Sequence, residues 1–240
     1  MARQLACSLI VFGTVWLWAG QVQAQNQPPT GRGRPPATME ERQAYQEMMK
    51  LVREGDLHKL AVASGGRYVN DLNQTMAPGI SQPPSDLEFL GRSSELVVVG
   101  QLMSMQPTLT DEGRLISTYA LVRVEHFLKG SGEDVLMVKV LGGTVTFADG
   151  SVAEVRVGAR PPKVGARYLL FLQRDRVDLT GTVFVPTVGV HGVFDVTGNG
   201  QGRRGQVQPH APVGSPLNKL YTGRDVDRFF EEARVKALAP

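Results

Sequence analysis

The stretch Lys163–Gln173, KVGARYLLFLQ, decides the fold. From Tyr168 to Leu172 every side chain is apolar. Successive side chains of a strand point to opposite faces, so such a run needs cover on both sides. Pro161-Pro162 and Gly165 punctuate its start. The expectation is a central strand with one face turned into an apolar interior and the other under a helix.

The flanking sequence is rich in strand signals. Ser94–Met105, SELVVVGQLMSM, carries an apolar run interrupted by Gly100, where a bulge or sharp bend is the usual reason. LISTYALVRVEHFLKG, Leu115–Gly130, predicts one long strand from Arg114 to Leu128, with Val122, Val124, His126 and Leu128 facing inward. In DVLMVKVL, Leu136, Val138 and Val140 share a face opposite Lys139. TVTFADGSVAEVRV reads as a hairpin in which Asp149-Gly150 forms a two-residue turn and sets Phe147 opposite Val152. TVFVPTV and GVHGVFDV supply the last strands, with Pro186 at an edge or break. Seven or eight short strands without intervening helices predict a mainly β protein. The long strand favours a closed antiparallel barrel of OB-like type, with α-helices flanking it at both ends.

The ends complete the outline. A basic start (Arg3), an apolar run from Leu5 to Ala19 and Val22-Gln23-Ala24 match an export signal over residues 1–24. The run is shorter than the ~20 residues that span a bilayer, although a retained anchor is the rival reading. Cleavage would remove the single Cys (Cys7) and both Trp residues, and lower the net charge from +3 to +2. A near-neutral, cysteine-free chain gives no footing for nucleic-acid binding, disulfides or thiolate metal ligands. Residues 25–37 read as a disordered linker. Residues 38–84 read as a helical extension and loop: Thr38 and Glu41 form a capping box, and Gly55 ends the helix. Asp56 caps a shorter one through Leu57, Leu60 and Ala61. The barrel is assigned to 85–197, a polar loop to 198–218, and a C-terminal helix to 219–240. That helix bears an apolar stripe of Val226, Phe229, Phe230, Ala233 and Ala237, which packs on the barrel.

Three segments in order, SELVVVGQL (Ser94–Leu102), VRVEHFLKG (Val122–Gly130) and VGARYLLFL (Val164–Leu172), resemble the netrin-like domain, the barrel shared with tissue inhibitors of metalloproteinases. Glu95 stands where that family shows Asp, and Leu128 is inserted between Phe127 and Lys129 of the second motif. The resemblance implies a five-stranded OB-type barrel flanked by helices. The family's inhibitors use an N-terminal Cys to chelate a protease zinc, a mechanism with no residue to carry it in a mature chain that lacks Cys.

The chemistry-bearing residues are sparse. Gly200–Gly205, GQGRRG, fits a pyrophosphate-cradling pattern, but Val207-Gln208-Pro209 follows in place of the required helix. None of His58, His126, His191 and His210 has metal-ligand spacing to another. His191 and Asp195, four apart on an expected strand, share a face without a third ligand. Asp134, Asp149 and Glu154 fall on or beside turns, and no nucleophile elbow occurs. No catalytic, cofactor or metal residue is nominated. The stripe Tyr45, Met48, Met49 and Val52 is the candidate partner-binding surface, because Met adapts to irregular partners; packing on its own barrel is the other reading. The functional expectation is a periplasmic or secreted non-enzymatic binding or interaction module, with another exported or envelope protein as partner. An envelope hydrolase or metal-dependent enzyme assembled from dispersed residues is the alternative. Ligand identity and oligomeric state are not encoded in any motif.

Overall fold

The computed structural model describes residues 50, 54–72, 86–158, 160–178, 180–197 and 205–238. The fold is mainly β, with two sheets and flanking helices. In chain order the elements are α1 (Leu57–Ala63), β1 (Arg67–Asp71), α2 (Leu87–Ser93), β2 (Leu96–Leu109), β3 (Ile116–Lys129), β4 (Val135–Leu141), β5 (Gly143–Thr146) and β6 (Val152–Arg156). There follow β7 (Arg167–Arg174), β8 (Val183–Pro186), a 3-10 turn (Gly189–Gly192), β9 (Val193–Thr197), β10 (Gln206–Pro209), α3 (Pro216–Tyr221) and α4 (Val226–Leu238). A three-stranded sheet runs β1-β6-β5 and a seven-stranded sheet runs β10-β9-β7-β2-β3-β4-β8. β7 also pairs with β8, so the ladder β7-β2-β3-β4-β8 returns to its first strand.

The strand read first, β7, is covered on both faces. Tyr168, Leu170 and Leu172 point into a cluster with Leu102, Val122 and Val138. Leu169 and Phe171 point the other way, into a cluster with Val97, Phe194 and Phe229. The C-terminal helix is therefore the cover the sequence demands. α4 starts where Asp225 accepts from the Arg228 N–H at 3.2 Å, and it buries Val226, Phe229, Ala233 and Ala237. Phe194 and Phe229 rings meet at 5.1 Å, and Tyr221 closes on Phe229 at 5.4 Å. α2 packs beside α4, and Lys236 reaches Glu88 at 3.1 Å.

Several expectations are corrected. The segment assigned to the barrel from residue 85 opens with helix α2, not a strand, because Asp86 accepts from the Phe89 N–H at 3.0 Å and caps a turn that buries Leu87 and Leu90. Strand β1 lies where residues 64–84 read as loop; it pairs in parallel with β6. With α1 it forms a third core, in which Leu57, Leu60 and Tyr68 meet Ile116, Ala153 and Val155. β10 lies within the segment read as polar loop, and α3 straddles its boundary with the segment read as a single C-terminal helix, which is two helices, α3 and α4. The pairing is not wholly antiparallel, since β4 also lies parallel to β8.

The β5–β6 hairpin carries a three-residue loop. Phe147 N–H donates to Ser151, not Val152, and Gly150 N–H donates back to Phe147 at 3.0 Å. Gly150 takes φ +81, which suits a type I turn closed by a left-handed residue. On β3 the register shifts twice, past Glu125 and past Leu128. Each shift reverses the alternation. His126 is thereby exposed and Phe127 joins the inner cluster, while Leu128 packs on the outer one. Gly100 does sit at a shift: a Cβ there would lie 2.6 Å from Val122 Cγ1. Among the described residues no helix is long and apolar enough to cross a membrane.

Candidate functional site

A cavity of about 710 Å3 lies against the inner face of the larger sheet and extends to the end of the smaller one. Its walls are mostly apolar: Leu102, Met105, Val122, Val138, Leu170 and Val193 contribute. These positions are inward because β2, β3, β4 and β7 alternate, and their outer partners pack elsewhere or meet solvent. Protein interiors are usually close-packed by side chains. Here Ala120, Gly142 and Gly143 also line the wall and leave space.

One end of the cavity is polar. His210 is 3% exposed and lines it beside Tyr168, whose ring meets the imidazole edge-on at 5.6 Å. The His210 backbone is anchored by its N–H to the Val193 carbonyl at 2.9 Å. One ring nitrogen bonds the backbone carbonyl of Arg160; Nε2 has no partner among the described residues. Burial pushes the imidazole from 6.5 down to about 4, and the Arg160 charge adds to that, so the ring is neutral near pH 7. Tyr168 accepts at its hydroxyl from the Lys163 N–H at 2.7 Å, and burial raises its pKa. Asp195, opposite Tyr168 on β9, is raised by burial and held back by Arg160 and Lys163.

The other rim is ionic. Glu154 on β6 takes Arg156 at 2.6 Å and Arg67 at 2.8 Å. The Arg156 bond, followed by that of Arg67, lowers the Glu154 carboxyl against the opposing cost of burial. A tight turn closes the polar end. Val188 takes φ 56, a left-handed conformation unfavourable for a β-branched residue, just ahead of the wall residue Val190. Thr187 holds that turn: its hydroxyl meets Ser94 at 2.7 Å and its N–H donates to Phe171 at 2.7 Å, both buried.

The other sequence candidates do not converge. Tyr45, Met48, Met49 and Val52 lie outside the described residues, as do Arg203 and Arg204. His191 lies in the 3-10 turn and not on the strand of Asp195, so the shared-face reading fails. His58 meets Asp149 at 3.0 Å, and Ser151 donates to the same carboxylate at 2.7 Å. A nucleophile needs a base on its own oxygen. Here the carboxylate stands between serine and histidine, so the trio ties the hairpin tip to α1. The Ser151 hydroxyl, then His58, lower Asp149 to about 2. Among the described residues no group of three His, Cys, Asp or Glu is placed to hold a metal ion.

Sequence reasoning missed His210 and Arg160 as a pair. His210 follows the four-residue strand β10, which ends on Pro209 and is too short for a periodic signal. No protein-family model matches this chain, and no curated protein matches it.

Proposed function

We propose that this protein is an exported, non-enzymatic binding module that holds an apolar ligand in the cavity of an OB-like barrel. The observation that carries the reading is the cavity itself: about 710 Å3, with apolar walls and its polar groups gathered at the ends. Ligand sites have this size and this economy of polar contacts. The barrel assignment is supported by the pairing order, in which five strands return on themselves with a single parallel contact between β4 and β8. The likeness to netrin-like domains is supported by its three motifs, which fall largely on the adjacent strands β3, β2 and β7. Export rests on the leader-like residues 1–24, and the partner-facing role of Tyr45, Met48, Met49 and Val52 rests on their helical spacing.

The test is native mass spectrometry of the protein purified from the envelope of its own cell, with organic extraction of whatever it retains. A bound small molecule that is lost in Val138→Trp, which fills the cavity, is the expected result. A protein that emerges empty and takes up no hydrophobic probe would end the proposal. Turnover of ester or peptide substrates that survives Val138→Trp would favour the enzymatic alternative.

A further inference from the structure

We propose that the cavity takes an amphipathic carboxylate, its hydrocarbon body against the larger sheet and its head paired with Arg160 at the mouth. This rests on the reading of the cavity as the ligand site. The inner wall, with Leu102, Val138 and Leu170 on it, accepts hydrocarbon. Asp71, Glu154, Arg156 and Arg160 also line the cavity. The first three belong to the smaller sheet and are compensated there. Glu154 takes Arg156 at 2.6 Å and Arg67 at 2.8 Å. Asp71 stands opposite Arg156 in the β1–β6 register. Two carboxylates thus meet two guanidinium groups on one face of that sheet. Arg160 is left over. It is exposed, lines the cavity and forms no ion pair among the described residues. Asp195 on β9 feels its charge, but lies off the cavity wall and forms no ion pair with it.

The uncompensated cation selects the head group. A guanidinium presents a planar fork that matches a carboxylate. An ammonium head would meet repulsion, and a neutral head would leave the cation unpaired. The rim also holds Arg160 in place. Gly158 takes φ +85, and a Cβ there would lie 2.9 Å from the His210 carbonyl oxygen, so the chain passes tight against the end of β10. Pro161 and Pro162 follow Arg160 on the wall. A residue before proline is confined to extended backbone, so the Arg160 main chain is set at the rim before a ligand arrives. Ordering of that kind, already present in the free protein, lowers the cost of binding. Fatty acids and polycyclic carboxylic acids have this chemistry.

The experiment is displacement of a hydrophobic fluorescent probe from the full chain by decanoate, 1-decanol and decylamine at pH 7.5. It compares the unaltered protein with Arg160→Gln and Arg228→Gln. Arg228 is exposed on α4 and off the cavity wall, so its variant removes the same charge elsewhere. Decanoate should compete about fivefold less well against Arg160→Gln and equally well against Arg228→Gln. Decanol should compete equally against all three proteins, and decylamine should trail decanoate in the unaltered one. Raising NaCl from about 0.05 M to about 0.5 M should weaken decanoate relative to decanol in the unaltered protein, a readout that needs no variant to fold. An unchanged decanoate-to-decanol ratio in Arg160→Gln, or an equal loss in Arg228→Gln, would overturn the carboxylate assignment while leaving the cavity a ligand site. No competition by any of the three overturns both readings.

Discussion

A Cβ on Gly91 would lie 2.6 Å from the Cα of Ala237. Helix α2 thus touches α4 backbone to backbone, across most of the length of the chain, and nothing larger than hydrogen fits at the contact. Together they roof β7 over Leu169 and Phe171. Lys129 supports the arrangement by donating to the Gly91 carbonyl at 2.7 Å, a cation at the C-terminal end of α2.

Gly91→Ala should therefore destabilise the protein. Alanine gains up to ~1 kcal/mol of helix propensity, but the clash is with main-chain atoms that can yield only if α4 moves. Overpacking of this kind costs about 1–3 kcal/mol, so a net loss is expected. Ala237→Gly should not rescue it, because the contact is with Cα. Urea midpoints of the single and double variants check this; recovery in the double variant would refute the contact.

Phe229→Ala should cost about 3–5 kcal/mol, in the range for a fully buried ring. Phe230→Ala should cost far less, since Phe230 is only partly buried against the same cluster. Deleting residues 224–240 removes α4 from the roof and should leave a chain that aggregates. Equal losses at Phe229 and Phe230 would contradict the packing described.

Asp178 should control the acid stability of the β7–β8 turn. Its carboxylate accepts from Thr180 Oγ1 at 2.7 Å and from the Thr182 and Val183 N–H groups at 2.8 Å. The Thr180 hydroxyl, followed by the Val183 amide, lowers its pKa from 3.8 to about 2. A carboxylate lowered by folding adds stability above its unfolded value and loses it as pH falls toward the folded one. Protection of the Thr182 and Val183 amides against exchange should fall between pH 4 and pH 2, and Asp178→Ala should lower it above that range. Unchanged protection in the variant would disprove the role.

His210 should impose a second pH dependence, higher on the scale. Its imidazole falls from 6.5 to about 4 on folding, so the unfolded chain takes up a proton first. Stability is full above pH 6.5 and is lost as pH falls to about 4, by on the order of 3 kcal/mol. His191, lowered by burial, acts in the same direction. Asp195, raised by burial and held back by Arg160 and Lys163, acts in the opposite one, and its charge also raises Tyr168 beside it. The difference between the unaltered protein and His210→Phe isolates the histidine. Midpoints measured from pH 7.5 to pH 4 should fall less steeply in the variant; parallel curves would show that His210 is not held neutral.

Local sequence patterns were enough for the β-rich class, the doubly buried strand at 168–172, its C-terminal helical cover and the short helix capped by Asp56. Each depends on side-chain alternation or on a cap within a few residues. Other features depend on partners remote in the chain. β1 carries too little apolar periodicity to be read as a strand, and exists because β6 offers it an edge. The inward position expected for His126 is undone by a bulge that only pairing with β2 creates. The cavity has the same origin. Its wall residues read simply as core, and tertiary structure alone leaves space between them and brings His210 to the Arg160 carbonyl. A hydrogen bond across a fold depends on where two backbones end up, which no local spacing records.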